Sequence, residues 1–376
     1  MPRHPSAAPE SPAGEPTSAA GAAPPARLTI DLGALAQNYR QLTEIASSSE
    51  VAAVVKADAY GLGLGPVAGR LAAIGCRSFF VATLEEGVRL RRLLPDARVF
   101  VLQGVGSAVA ACREARLVPV LNTLAEASEW AEHGGGAGAA LQLDTGMTRA
   151  GLDARDLGEL LAAPALLNSL KLELVLTQLA CADDVLSPMN ALQLACFERL
   201  RAHLPGVATS IGNSAGILLG PEYRGDVVRP GIALYGGRPF LAGVNPMRPV
   251  VRLEARVLQI RELAEDAWVG YGATYRARAH ARLATVGAGY ADGYPRALGG
   301  KGFAAVGGRR VPVVGRVSMD LTTLDVTELG PEALAVGDYV DLLGGDVPLE
   351  EAARLAGTIS YELLTGLAPR LSRRWR

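Results

Sequence analysis

The feature that most constrains the fold is a rhythm. From residue 51 onward, short β-like runs alternate with helical segments, and they do so eight times. The runs fall at 51–55, 79–82, 98–102, 117–121, 139–144, 170–177, 208–211 and 226–235. Several, such as VAAVV and FFVA, are apolar throughout rather than alternating, as parallel strands buried on both faces require. The gaps carry helix signals. In "SPMNALQLACFERLRAHL", Ser187 is a candidate N-cap, Pro188 takes the first helical position, and apolar residues recur at helical spacing. Repeated β/α units of this length predict a TIM (β/α)8 barrel rather than a doubly wound sheet.

Past about residue 250 the rhythm breaks. Segments such as "PVVRLEARVLQIREL" and "FAAVGGRRVPVVGRVSMDLTTLDV" are β-like runs parted by Gly and Pro, with helical pattern only at about 348–365. The chain is therefore read as α/β, with a barrel over 27–250 and a mostly β C-terminal domain over 251–376. Residues 1–26, dominated by Pro, Ala, Ser and Gly, are expected to be a disordered tail, because they cannot bury enough apolar surface to order themselves. Their prolines also interrupt the apolar core that a secretory signal needs, and no later stretch is clean enough to span a membrane.

One residue in the first strand stands out. "VAAVVKADAYGLG" is apolar until Lys56, and the glycines at 61, 63 and 65 read as a turn. Lys56, Lys171 and Lys301 are the only lysines in the chain, so arginine carries nearly all the positive charge. A lysine kept at a buried strand end suggests chemistry that guanidinium cannot perform: losing a proton near neutral pH and attacking a carbonyl to form a Schiff base.

In a TIM barrel the site lies at the C-terminal ends of the strands. Lys56 and Tyr60 follow the first run, "QLDTGMTRAG" follows the fifth, "GNSAG" the seventh, and "VRPGIALYG" lies in the eighth. Barrels commonly bind phosphate after strands seven and eight. There Ser214 is placed to cap a helix and donate to an anion, and Gly231 and Ile232 can offer backbone amides. A Schiff-base lysine together with a phosphate cradle points to pyridoxal 5'-phosphate.

"VVKADAYGLG", "DTGMTRAG", "GNSAG", "VRPGIALYG", "VGYGATY", "GYADGYPR", "GRVSMD" and "SYELLTG" occur in this order, and from Leu28 to the C-terminus the chain resembles the alanine racemases, fold-type III pyridoxal-phosphate enzymes. The resemblance implies that Lys56 holds the cofactor and is one of two catalytic bases. It implies that Tyr271 is the other, reaching the partner subunit's site in a head-to-tail homodimer. Racemisation independently asks for two bases, because a proton leaves one face of Cα and another arrives on the opposite face. By the same resemblance, Arg149 and the backbone at Met319 position the substrate carboxylate. Tyr60, Ser214, Gly231, Ile232 and Tyr361 surround the phosphate, Arg229 sits against the pyridine nitrogen, and Tyr290 with Asp320 lines the entrance.

The chain departs from the family pattern at Gln142, where a lysine often precedes the substrate arginine, and at Gln178, where "TQL" replaces the common "THF". Gln142 is expected to hydrogen-bond Arg149 through its amide oxygen. Gln178 cannot titrate or relay a proton as an imidazole does. Asp58 and Leu62 depart from the usual "KANAYGHG". The alternatives are a broad-specificity or other amino-acid racemase, and a weakly catalytic pyridoxal-phosphate-binding protein.

Other function classes fit less well. The net charge of -1 argues against an electrostatic nucleic-acid partner. His4, His133, His203 and His280 are scattered, and none sits in an HExxH-like motif or beside a GxSxG serine, so no metal centre or serine triad is expected. Cys76, Cys112, Cys181 and Cys196 lack CxxC spacing and read as reduced thiols of a cytoplasmic protein. The terminal "RLSRRWR" reads as a solvated tail.

Overall fold

Runs such as Phe79, Phe80 and Val81, or Val99, Phe100 and Val101, have no polar face to offer water, and each of these residues is fully buried. In the computed structural model, which describes residues 23–376, they lie inside a parallel sheet. The strands form two groups. β1 (Ala26–Ile30) belongs to the second group; β2 (Glu50–Val51), β3 (Ala53–Val54), β4 (Ser78–Val81), β5 (Arg98–Val101), β6 (Val118–Leu121), β7 (Ala139–Gln142), β8 (Leu172–Leu176), β9 (Ala208–Ser210) and β10 (Val227–Val228) make the first.

β3 to β9 pair in parallel in chain order as a seven-stranded sheet. β10 supplies the remaining stave. It pairs in parallel with β2, Val227 opposite Glu50 and Val228 opposite Val51. On its other side the Arg229 amide donates to Gly212 O at 2.7 Å. Ala52 links β2 to β3, and its own amide donates to Val228 O at 2.9 Å, so the ring closes as a barrel. The run predicted over 226–235 is a strand only at its start. Pro230 has no amide to give a ladder, and the chain then turns, with Leu234 N on Gly231 O at 2.9 Å and Tyr235 N on Ile232 O at 3.1 Å. The helix Pro188–Arg201 begins where the pattern placed it, with Ser187 at the N-cap position, although the Ser187 side chain makes no capping bond.

The second group is β11 (Val251–Glu262), β12 (Ala267–Val269), β13 (Tyr275–Ala277), β14 (Arg282–Val286), β15 (Phe303–Val306), β16 (Arg309–Pro312), β17 (Thr322–Asp325), β18 (Tyr339–Leu343) and β19 (Ser372–Trp375). β12 and β13 form their own antiparallel pair. The main sheet runs β16-β15-β18-β11-β1-β19, with β14 joining β11 to β17. Its helices, Leu349–Ala356 and Ser360–Thr365, fall where the helical pattern resumes.

Both chain ends depart from expectation. Of the predicted tail, residues 1–22 lie outside the described residues, and Ala26 already opens β1. β1 does not enter the barrel: it pairs antiparallel with β11 and parallel with β19. Arg27 secures it through a bidentate pair with Glu254, both contacts at 2.8 Å. "RLSRRWR" is likewise structural. It supplies β19, Trp375 Nε1 donates to Leu62 O at 2.9 Å, and Arg373 reaches Gly61 O at 3.2 Å. Arg374 and Arg376 stay exposed while the Arg373 guanidinium and the Trp375 indole fasten the loop after Lys56.

Candidate active site

β3 ends at Val54, and Val55 after it, both buried, delivers a half-buried Lys56 to the C-terminal mouth of the barrel. The backbone beyond it is unusual. Ala57, Asp58, Ala59 and Tyr60 all have φ between 53° and 58°, a turn of left-handed helix built without glycine. Each such residue costs about 1–2 kcal/mol, so the turn persists only because its surroundings hold it. Gly61 N donates to Ala57 O at 2.7 Å and Gly63 N to Asp58 O at 2.9 Å. Asp58 Oδ1 accepts from Leu64 N at 3.0 Å and pairs with Arg89 at 2.9 Å. Leu62 is fully buried. The residues at 58 and 62 therefore have local tasks in this chain.

Lys56 faces a cleft of about 520 Å³ whose lining includes Tyr60, Arg149, Gln178, Ser214, Arg229 and Tyr361. Gly231 and Ile232 line it too. Burial, reinforced by the charges of Arg149 and Arg229 and opposed by Glu86, holds the Lys56 ammonium below its ordinary pKa. Arg229 is buried, and burial lowers its guanidinium to about 10, which leaves it cationic at neutral pH. It donates to Ser210 Oγ at 2.5 Å, Thr177 O at 2.7 Å and Gln178 Oε1 at 3.2 Å. Gln178 thus meets Arg229 as a neutral acceptor.

Of the lining tyrosines, Tyr60 packs on Tyr235 with ring centroids 4.6 Å apart and lies 6.1 Å from Tyr361. Burial raises all three phenols, Tyr361 to about 12, so they stay neutral donors. Ser214 differs from its expected capping role. Asn213 Oδ1 takes the Ala215 and Gly216 amides at 3.1 and 2.9 Å, which frees the Ser214 hydroxyl to accept from Gly231 N at 2.9 Å and Ala233 N at 3.2 Å. A Cβ at Gly231 would collide with the Tyr60 hydroxyl. The Ile232 amide has no hydrogen-bond acceptor among the described residues.

Arg149 sits on a loop shaped by a single carboxylate. Asp144 Oδ1 accepts from Gly146, Met147 and Thr148 amides, each at 3.0 Å. The loop closes where Leu152 N meets Gln142 O and Asp144 N meets Leu152 O, both at 2.9 Å. Gln142 does not bond Arg149 as expected. Its Nε2 donates to Ala150 O at 3.1 Å, because the returning strand brings that carbonyl within reach.

Tyr271, Tyr290, Met319 and Asp320 do not line this cleft. Tyr271 occupies the short turn Tyr271–Ala273 and is 71% exposed; Tyr290 and Met319 are 42% and 53% exposed. The last three are nevertheless held together: Tyr290 N donates to Ser318 O at 3.1 Å and Ala291 N to Met319 O at 2.9 Å. Arg370 clasps Asp292 bidentately and reaches Asp320 at 2.7 Å. The structure also adds Glu86, which lies in no motif, and Tyr235, which sits inside "VRPGIALYG" without a role implied for it. Glu86 stands three places after Thr83, the spacing of a capping box, and that signal predicts only a helix start.

The chain matches the family model "Alanine racemase, N-terminal domain" over residues 30–239 and "Alanine racemase, C-terminal domain" over residues 250–375. It is 46% identical over 370 residues to the biosynthetic alanine racemase of Agrobacterium fabrum, covering 93% of this chain and 94% of that one. The catabolic alanine racemase of the same organism is also 46% identical, over 352 residues, with 92% and 91% coverage. Among solved structures, the alanine racemase of Bartonella henselae with covalently bound pyridoxal phosphate superposes with a TM-score of 0.90 at 38% identity, over 94% of this chain and 100% of that one.

Proposed function

Because the chain belongs to the alanine racemase family, and with pyridoxal phosphate interconverts L- and D-alanine, we propose a division of labour in which Lys56 and Tyr271 are its two bases. The observation that carries the reading is the cleft itself, which gathers a lysine held below its ordinary pKa, the neutral Tyr60 and Tyr361 hydroxyls, and a buried guanidinium in one lining.

The residues present fit the cofactor. Pyridoxal phosphate is anionic and planar, and Lys56, Arg149 and Arg229 bring positive charge to the cleft. Gly231 leaves open the space that a side chain would fill beneath the Tyr60 hydroxyl. Tyr60, Tyr361, the Ser214 hydroxyl and the Ile232 amide would hold the phosphate, while the Gly231 amide, expected to share that task, is taken by Ser214 Oγ at 2.9 Å. Arg229 would face the ring nitrogen as a charged donor. Bound there, the cofactor supplies the electron sink that makes the α-hydrogen of alanine acidic.

The chain's own groups would do the rest. Lowering the ammonium pKa raises the neutral fraction of Lys56 Nζ, so it can hold or move a proton at one face of the substrate Cα. Tyr271 Oη would serve the opposite face. The Arg149 guanidinium suits a fork-like pairing with the substrate carboxylate, assisted by the backbone at Met319. Tyr290 and Asp320, the latter held by Arg370, would border the entrance.

Tyr271 is exposed and absent from the cleft of its own chain, which supports a head-to-tail homodimer in which it works in the partner subunit's site. No helix among the described residues is long and apolar enough to cross a membrane, and the four cysteines are free thiols. These features support a cytoplasmic enzyme. Proton NMR of the cofactor-loaded protein with L-alanine in heavy water, followed by chiral analysis, tests the two bases. Wild type should lose the Cα proton signal and accumulate D-alanine, while Tyr271→Phe should lose inversion yet retain cofactor. Unchanged inversion by Tyr271→Phe would remove that residue from the mechanism.

A further inference from the structure

Lys56 is followed by four residues in left-handed backbone, Ala57 to Tyr60, and the first amide of that turn has no partner within the turn. Glu86, from the helix Leu84–Leu93, supplies one: its Oε1 accepts from Ala57 N at 2.6 Å. Its Oε2 accepts from Ala82 N at 2.8 Å and, as the capping-box partner, from Thr83 N at 3.4 Å. One carboxylate therefore joins the end of β4 and the start of its helix to the residue next to Lys56.

We propose that Glu86 is a positioning residue for Lys56, clamping the left-handed turn so that the lysine leaves β3 in its reactive direction. This rests on the reading of Lys56 as the cofactor-bearing base. A capping box needs only the bond to Thr83 N, and a bond to a strained segment 29 residues away adds nothing to helix stability. The turn gains from it directly. Left-handed residues relax toward ordinary backbone unless their amides are satisfied, and relaxation at Ala57 would swing the Lys56 side chain. Glu86 is also an acidic group whose charge acts on Lys56 against Arg149 and Arg229.

The test compares Glu86→Gln with Thr83→Ala in the cofactor-loaded enzyme. Gln keeps one acceptor oxygen where Glu offers two, so it cannot serve Ala57 and the helix start together. Thr83→Ala removes the hydroxyl that accepts from Glu86 N at 3.3 Å and leaves the Ala57 bond in place. For Glu86→Gln we expect kcat to fall about tenfold or more, with KM for alanine within about twofold, because the charge-assisted bond lost holds the backbone beside Lys56 and not the carboxylate site. The visible absorbance of the lysine-bound cofactor should shift, and cofactor should be released faster. Thr83→Ala should lower Tm comparably and leave kcat and absorbance unchanged. Equal kcat losses in the two variants, or an unchanged kcat in Glu86→Gln, overturns the proposal. If Glu86→Gln does not fold, Glu86→Asp draws the carboxylate back by one methylene and should give the same kcat loss with unchanged KM; wild-type kcat would refute the clamp. Lys56→Ala keeps the two readings apart, since retained racemisation there would refute the role of Lys56 itself whatever Glu86 does.

Discussion

If each site takes Lys56 from one chain and Tyr271 from the other, two inactive variants must restore each other. In Lys56→Ala homodimers both sites lack the amine, and in Tyr271→Phe homodimers both lack the phenol, each loss costing on the order of 100-fold or more. A mixed dimer has one site with neither group and one with both. Random association of equal amounts makes about half the dimers mixed, each half active, so the mixture should reach about a quarter of wild-type activity. The structural basis is the position of Tyr271, which is 71% exposed and outside the cleft that holds Lys56. The assay is co-expression of two differently tagged chains, purification through both tags, and D-alanine formation measured by chiral chromatography. Doubly purified dimer should show about half the wild-type rate on this counting. A doubly tagged dimer as inactive as its parents would refute the shared site and require Tyr271 to serve its own chain.

Asp144→Ala removes the oxygen that gathers three loop amides at 3.0 Å and so frees the segment bearing Arg149; KM for alanine should rise about tenfold with a smaller change in kcat, whereas Asp144→Asn should stay near wild type. Steady-state kinetics with both enantiomers checks this. Tyr294 is fully buried and its hydroxyl has no partner among the described residues, so Tyr294→Phe should be neutral or stabilising by about 1 kcal/mol in urea unfolding. Burial pushes the Glu254 carboxyl up, but the Arg27 hydrogen bond and the charges of Arg252 and Arg27 outweigh it and hold the pKa below the usual carboxylate value. Its contribution is therefore complete above the unfolded value near 4.3 and lost as pH falls through the folded one. Glu254→Gln should lower stability by about 2 kcal/mol at pH 7, and the Tm gap from wild type should narrow as pH falls below the unfolded carboxylate value and through the lower folded one.

What could be read from the sequence was what depends on near neighbours. Apolar runs such as FFVA must be buried on both sides, so eight β-like runs, several of them apolar throughout and all separated by helical spacing, already imply a closed parallel barrel. A lysine after such a run, among so few lysines, marks itself. The cleft residues from Lys56 to Tyr361 follow because each sits on a motif beside a strand or helix end. Errors arose where a distant group competed for a local one. Ser214 was expected to cap its helix, but Asn213 takes that task while the Gly231 and Ala233 amides claim the serine. Gln142 turns to Ala150, and not to Arg149, because the loop folds back on its own strand.

The two ends of the chain make the division sharpest. "RLSRRWR" and the start of β1 look like solvated flanks because charge and proline dominate them, yet they pair with each other in parallel through Arg27 to Ile30 and Ser372 to Trp375. Nothing in either segment announces a partner more than 300 residues away, and only the packing of β11 between them and β18 selects it. The same holds for the Glu86 bond to Ala57. By itself the sequence determined the barrel, the β domain and which reactive side chains follow the strand ends, because periodicity and side-chain type act over a few residues. Tertiary structure alone decided which carboxylate faces which amide, how the chain ends are fastened, and that Tyr271 lies outside its own cleft, because those outcomes are settled by contacts that exist only once the elements have packed.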